Sequence, residues 1–341
     1  NSYGSSVGSF TITATDIAPA QTNSTPWTKA IDFSGSSEYA VQVSSSNTTT
    51  PLNMGGGALF VSDALTSGYT SNDGNAKPWA TAIVFKYDGN SSNQHIWNLG
   101  EGALSTDDNI YLRLNASGDL YFGWGRDGAV NECKFKSLGL TTNLSQWHGV
   151  YIAHNGARLT GANASAANLA NIFDIRYMSS NDGFTNLSSN LSIAANWLST
   201  GVRMDRAFAG SMSIGGRGSN RNFLGKVASV VITTLVRNTA MPSDAEIIEM
   251  ITDPLSWESN YRVGQLVRAC NQSSASTYTG ADSFGYGYAA VQIWLMGDGT
   301  NDSYSNMIRN QVNPADQNYT KLQLNSMVSN DIETVNINGL T

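Results

Sequence analysis

The sequence predicts an all-β protein, folded as an antiparallel sandwich. Three observations carry this. Short runs rich in Val, Ile, Phe and Tyr recur along the chain, separated by Gly, Asn, Asp and Ser. Several runs alternate with a period of two, as in Ile110-Tyr111-Leu112-Arg113-Leu114. No internal repeat or heptad pattern is present, so a solenoid or coiled coil is not expected.

Residues 1–29 read as a polar N-terminal arm, with one alternating run at Phe10 and Ile12. Residues 30–258 read as the sandwich. Ala30 to Val43 predicts two short strands about Gly35, and Ala58 to Val61 a third within a long Ser/Thr/Gly stretch. Pro78 to Asp88 alternates Ala82, Val84 and Lys86 with Ile83, Phe85 and Tyr87. Gln94 to Gly100 follows. Asn109 to Asn115 and Asp119 to Gly125 predict a hairpin about Asn115-Ala-Ser-Gly118. Further strands are expected over Cys133 to Leu140, Trp147 to Ala153, Ile172 to Met178 and Gly225 to Leu235. Ala162 to Ala170 fits a short helix or a loop, and Asn190 to Trp197 is ambiguous.

One helix has an explicit start. Ser243 and Glu246 form the pattern of a capping box, and Pro242 and Ile247 are placed to staple it. Ile247, Ile248 and Ile251 give one apolar face, and Asp253-Pro254 ends the run. Residues 259–341 read as a C-terminal extension or a small β domain. Tyr261 to Ala269 fits a strand or a helix, and Val291 to Met296 a strand.

Composition narrows the function classes. Of 341 residues, 40% are hydrophobic and only 13% charged, so Ser, Thr, Asn and Gly must cover the surface. The net charge of -7 and the lack of a Lys/Arg cluster argue against nucleic-acid binding. No apolar run is long enough to cross a bilayer, so membrane insertion is not expected. Cys133 and Cys270 read as buried small hydrophobes rather than a disulfide framework.

Catalytic patterns are missing. No strand carries two Glu around an Asp, the spacing that places an acid and a nucleophile together for glycoside hydrolysis. Asp107 and Asp108 are adjacent and would face opposite sides of a strand. His148 and His154 would lie about 20 Å apart on one strand, too far to share a metal. Gly285-Tyr-Gly287-Tyr-Ala-Ala290 matches a dinucleotide fingerprint by letter, but without the strand and helix it requires. We therefore expect a non-enzyme. Asp298, Asn301 and Asp302 place three oxygen side chains in a Gly-rich loop, hard ligands suited to calcium; a turn capping its own backbone would use the same residues. Most of the eight Trp sit in apolar strand contexts and are expected in the core. Trp124, between two glycines and beside Arg126 and Asp127, is the candidate for contact with a carbohydrate.

Motifs add a resemblance. Ile31-Asp-Phe33-Ser-Gly35, Ala82 to Phe85 with Ile96 to Gly100, Trp147-His-Gly-Val150-Tyr151 to Gly156, and Phe223-Leu-Gly225-Lys-Val227 leading to Ser243, Glu246 and Asp253-Pro254 together resemble concanavalin A-like, laminin-G-like lectin domains. That resemblance spans roughly Ala30 to Trp257 and implies a jelly-roll sandwich. The later Trp294-Leu-Met-Gly-Asp-Gly299, Ile308-Arg-Asn-Gln311 and Leu322-Gln-Leu324 are similar to tails of bacteriophage virion proteins that carry a lectin-like domain. It implies a structural protein of the virion, in the tail or on the capsid surface. Its partners would be other virion proteins, further copies of itself, with a trimer as the first expectation, and a host-surface glycan. A secreted or cell-surface carbohydrate-binding module is the alternative, and a polysaccharide-degrading enzyme the second.

Overall fold

The computed structural model describes residues 28–42, 79–89, 92–100, 109–126, 129–134, 144, 146–154, 173–188, 192–193, 212–216, 221–234, 242–260, 292–299, 302, 307–309, 311, 321–335, 337 and 340. These residues form two antiparallel sheets packed face to face, a sandwich of the jelly-roll type. The strands, in chain order, are β1 (Lys29–Ser34), β2 (Tyr39–Gln42), β3 (Trp79–Tyr87), β4 (Gln94–Gly100), β5 (Asn109–Leu114), β6 (Leu120–Arg126), β7 (Ala129–Lys134), β8 (Trp147–His154), β9 (Phe173–Ser179), β10 (Gly183–Asn186), β11 (Ser192–Ile193), β12 (Met212–Ile214), β13 (Leu224–Thr234), β14 (Gln292–Leu295), β15 (Met307–Arg309), β16 (Lys321–Asn325) and β17 (Ile332–Thr334). One sheet runs β10-β9-β8-β3-β13-β1-β17, with β14 also on β13; the other runs β11-β7-β6-β5-β4-β12-β2-β16-β15.

β13 organises the first sheet. One edge pairs with β3 along its whole length. The other edge is divided: Leu224 to Val227 pair with β1, and Ser229 to Ile232 with β14. Its Val and Ile content follows from burial on both faces. Val227, Val230 and Ile232 join the core between the sheets, while Ala228 and Val231 join a second apolar cluster on the outer face. β3 behaves alike: Ile83, Phe85 and Tyr87 enter the central core, and Ala80, Ala82 and Val84 the outer cluster.

The outer cluster needs a cover, and helix α1 (Asp244–Thr252) supplies it with Ile247, Met250 and Ile251. Ser243 caps α1 as expected, its side chain accepting from the Glu246 amide at 3.2 Å. The helix stops at Asp253, but the following Pro254 opens a second helix, α2, over 254–260. Asp253 caps it, with Oδ1 accepting from Ser256 N at 3.0 Å and Oδ2 from Ser256 Oγ at 2.7 Å. The proline read as a stop thus also occupies the first position of a new helix, where its missing N–H costs nothing. Trp257 on α2 is fully buried in the same cluster.

Four strands after residue 291 enter both sheets. β14 pairs with β13 and β17 with β1; β16 pairs with β2 and carries β15 outside it. The strand expected at Cys133 to Leu140 begins earlier, at Ala129, because the β6–β7 hairpin pairs Arg126 with Ala129. The expectations for Ala58 to Val61, Ala162 to Ala170, Tyr261 to Ala269, Cys270 and most of the arm lie outside the described residues. Among the described residues, no helix is long and apolar enough to cross a membrane.

Candidate functional site

The nine-stranded sheet has one face in the central core and one turned away from it. Directly opposed residues of antiparallel strands share a face, so the register lays out the outward face row by row. One row runs Gln323, Val41, Ser213, Asn98, Tyr111, Gly123, Glu132 across β16, β2, β12, β4, β5, β6 and β7. A second runs His95, Arg113, Tyr121, Lys134, Ser192 across β4, β5, β6, β7 and β11. Ten of these twelve positions hold polar or aromatic side chains, while the alternating Leu112, Leu114, Leu120 and Phe122 fill the core. A bulge after His95 keeps this division, since Ile96 and Trp97 both turn into the core.

Local packing fixes several of these side chains. The Tyr111 ring lies across Gly123, where any Cβ would run into it. The His95 ring stacks on Tyr111 with centroids 5.0 Å apart. The Arg113 guanidinium sits 4.2 Å over the Tyr121 ring and donates from one terminal nitrogen to Asn93 Oδ1 at 3.1 Å. Asn115 donates to the Tyr121 hydroxyl at 3.3 Å and to Asp119 Oδ2 at 3.1 Å. In the hairpin turn, Asn115 Oδ1 accepts the Ser117 and Asp119 amides. His95, Asn98, Tyr111 and Ser213 are buried, whereas Tyr121 and Asn115 are half-buried and Asn93 is exposed. Arg113 is buried as well, so the accessible end of the face presents the Tyr121 ring and the Asn93 and Asn115 amides, with the guanidinium packed on the ring. Such a set matches a sugar, which offers apolar C–H faces and a rim of hydroxyls.

The residues singled out in the sequence fall in two places. Trp124 and Arg126 lie on β6; Trp124 pairs with Ile110 and Asn131, and Arg126 with Ala129. Asp127 and Asn301 lie outside the described residues. Asp298 is far from this face and fastens the start of β1. Its Oδ2 accepts the Thr28 and Lys29 amides at 2.7 and 2.6 Å, and its Oδ1 accepts from Thr28 Oγ1 at 2.7 Å. Asp302 Oδ2 accepts the Gly297 and Gly299 amides at 3.2 and 3.0 Å. In this arrangement both carboxylates bind backbone amides. Among the described residues, no three His, Cys, Asp or Glu converge on a point that could hold a metal.

Titratable groups elsewhere serve the sandwich. His148 is buried, with Nδ1 2.7 Å from the Tyr177 hydroxyl, and burial raises the Tyr177 pKa. Lys226 Nζ lies 2.8 Å from both Asp32 Oδ2 and Glu333 Oε2, tying β13 to β1 and β17. Burial raises Asp32 against the pull of Lys226, while the bond from Lys226 lowers Glu333. Arg176 bridges Asp174 on its own strand at 2.9 Å and Asp244 at the start of α1 at 3.6 Å.

The two packed antiparallel sheets define the protein as an all-β sandwich of the jelly-roll type. No protein-family model matches the chain, and no curated protein does. Among solved structures it is similar to a Bacteroides ovatus protein provisionally described as carbohydrate-binding, at 12% identity and a TM-score of 0.39, over 92% of this chain and 62% of that one. It is also similar to the carbohydrate-binding module of a Ruminococcus gnavus sialidase, at 13% identity and a TM-score of 0.35, over 66% of this chain and 97% of the module. A full-length tailspike protein 2 from an Escherichia coli O157:H7 bacteriophage matches at 15% identity and a TM-score of 0.32, over 66% of this chain and 28% of the tailspike. At these TM-scores the likenesses say nothing of function.

Proposed function

We propose that this protein is a non-catalytic glycan-binding sandwich displayed on a bacteriophage particle. Its contact surface is the face of the nine-stranded sheet turned away from the core. The observation that carries the reading is the pair of rows crossing that face, with Tyr121, Asn93 and Asn115 at its accessible end and the buried Arg113 packed on the Tyr121 ring. The Tyr121 ring supplies a stacking surface, the Asn93 and Asn115 amides supply fixed donors and acceptors for hydroxyls, and Arg113 holds the Tyr121 ring and Asn93 in place. The mechanism is shape and hydrogen bonding alone, with no bond made or broken.

A glycan array tests this. The wild type should retain a subset of glycans, and Tyr121→Ala should weaken that binding about tenfold or more. Retention of no glycan would overturn the function, and an unchanged Tyr121→Ala variant would overturn the surface. The particle assignment rests on the C-terminal sequence pattern beginning at Trp294. Light scattering on a sizing column tests it. A trimer or larger ring is expected of a virion component. A monomer that still binds glycan would make it a secreted or cell-surface module.

A further inference from the structure

Just beyond the second row, one residue is held in a conformation that its side chain does not favour. Arg221 has a φ of 54°, left-handed backbone that glycine adopts freely and a long side chain resists. Its carbonyl accepts the His95 amide at 2.9 Å. Alongside, the Gly215 amide donates to the Ile96 carbonyl at 2.9 Å, and the Phe223 amide donates to the Gly215 carbonyl at 2.7 Å. Arg221 therefore takes the β12 side of β4, whereas Arg113 lies on β5 at the other. Arg221 is also exposed. Among the described residues, the other non-glycine positions with positive φ are Ser37 and Ser326, both small. An exposed, strained arginine at the rim of a contact face is an outlier of the kind that marks function.

We propose that Arg221 is the far contact of an extended glycan site that begins at Tyr121, so that the ligand is an oligosaccharide rather than a single sugar. The inference rests on the glycan-binding reading above and adds to it the size of the ligand and the place where it ends. Tyr121, Arg113 and His95 are register partners across β6, β5 and β4, and Arg221 follows on the far side of β4. Three strand spacings put its backbone about 14 Å from Tyr121. Asn93, exposed and bonded by Arg113, stands at the start of β4, the strand between them. A single ring stacked on Tyr121 cannot reach the Arg221 guanidinium. A short chain of rings can, and it meets the Asn93 amide on the way. The guanidinium then offers a planar fork of donors to the hydroxyls of the last unit. The backbone strain separates this role from a structural one. Glycine relieves the left-handed conformation and removes the guanidinium together. A side chain that served the fold would weaken the fold when removed, whereas one kept for the ligand leaves it as stable or more so.

The experiment uses the full chain and the best-retained array glycan, shortened one unit at a time from either end to the single sugar. Titration and thermal unfolding are compared for wild type and Arg221→Gly. Wild-type affinity should rise about tenfold or more between the single sugar and the chain that spans the site. Arg221→Gly should lose that gain, bind the single sugar as the wild type does, and melt at an equal or higher temperature. A wild type that binds the single sugar as tightly as the longer chain would overturn the proposal while leaving the glycan-binding reading intact. So would an Arg221→Gly variant that keeps the gain, or one that loses stability along with it. A wild type that retains no glycan overturns both.

Discussion

Gly149→Ala is the sharpest test of how the helix layer sits on the sandwich. Gly149 lies on β8, and a Cβ there would fall 2.5 Å from Ile251 Cγ2 on α1, with Ile251 Cδ1 and Met178 Cβ each at 3.6 Å. Carbon atoms pack best at about 3.5–4.0 Å, so roughly 1 Å must open between helix and sheet. Ile251 has little room to yield: it is fully buried, its neighbours Ile247 and Met250 are too, and a β-branched side chain on a helix has few rotamers. Overpacking of this kind costs about 1–3 kcal/mol. Loss of glycine's freedom in the unfolded chain returns about 0.4–1 kcal/mol. The net destabilisation is about 1–2 kcal/mol, read as a lower midpoint in chemical denaturation. Ile251→Leu moves the branch one carbon outward and removes the clashing methyl. Gly149→Ala/Ile251→Leu should therefore be more stable than the two single effects predict, with a coupling of about 0.5–2 kcal/mol. A Gly149→Ala variant as stable as wild type, or a coupling of zero, would refute the packing argument.

Two further outcomes follow from the chain's electrostatics. Asp298→Ala removes the acceptor of three hydrogen bonds from Thr28 and Lys29, so stability should fall by about 1–3 kcal/mol and amide exchange at the start of β1 should quicken; unchanged exchange would remove the clamp. Glu333→Gln tests the link from β17 to Lys226. Lys226 lowers the Glu333 pKa from its ordinary 4.5, so the contribution is fully present above that value and lost as pH falls through the lower folded one. Asp32 has the opposite sign, because burial raises it and its charged form is disfavoured in the fold. The wild type should exceed Glu333→Gln by under about 1 kcal/mol at pH 7, since Glu333 is partly exposed, and the gap should close in acid. A gap that widened as pH fell would contradict the assignment.

The sandwich was legible in the sequence wherever period-two alternation met a turn. Ile83, Phe85 and Tyr87 separate from Ala82 and Val84 in the structure as they do in the sequence. The Ser243 cap was legible because it is local chemistry between residues three apart. What escaped was set by partners distant in the chain. The second helix was hidden by reading Pro254 as a stop, although Asp253 before it is a good cap. The rows on the outward face need seven strands in register, and no local pattern encodes that order. The signal was present in part: Tyr111, Arg113 and Asn115 alternate with Ile110, Leu112 and Leu114, which marks one face as apolar but does not say which strands flank the other. Asp298 shows the same limit from the other side. Oxygen-rich loop composition suggested an ion, whereas the structure points its carboxylate at amides 270 and 269 residues away.

The divided edge of β13 has a consequence for the order in which the protein can be made. β1 is synthesised nearly two hundred residues before its partner β13, and the neighbour that fills the rest of that edge, β14, comes later still. Neither sheet is complete until the last strands appear, since β16 and β17 reach back to β2 and β1. During synthesis the early strands must wait with unpaired edges, which is the state in which strands pair wrongly between chains. A nascent chain arrested before residue 291 would therefore present open edges on both sheets at once.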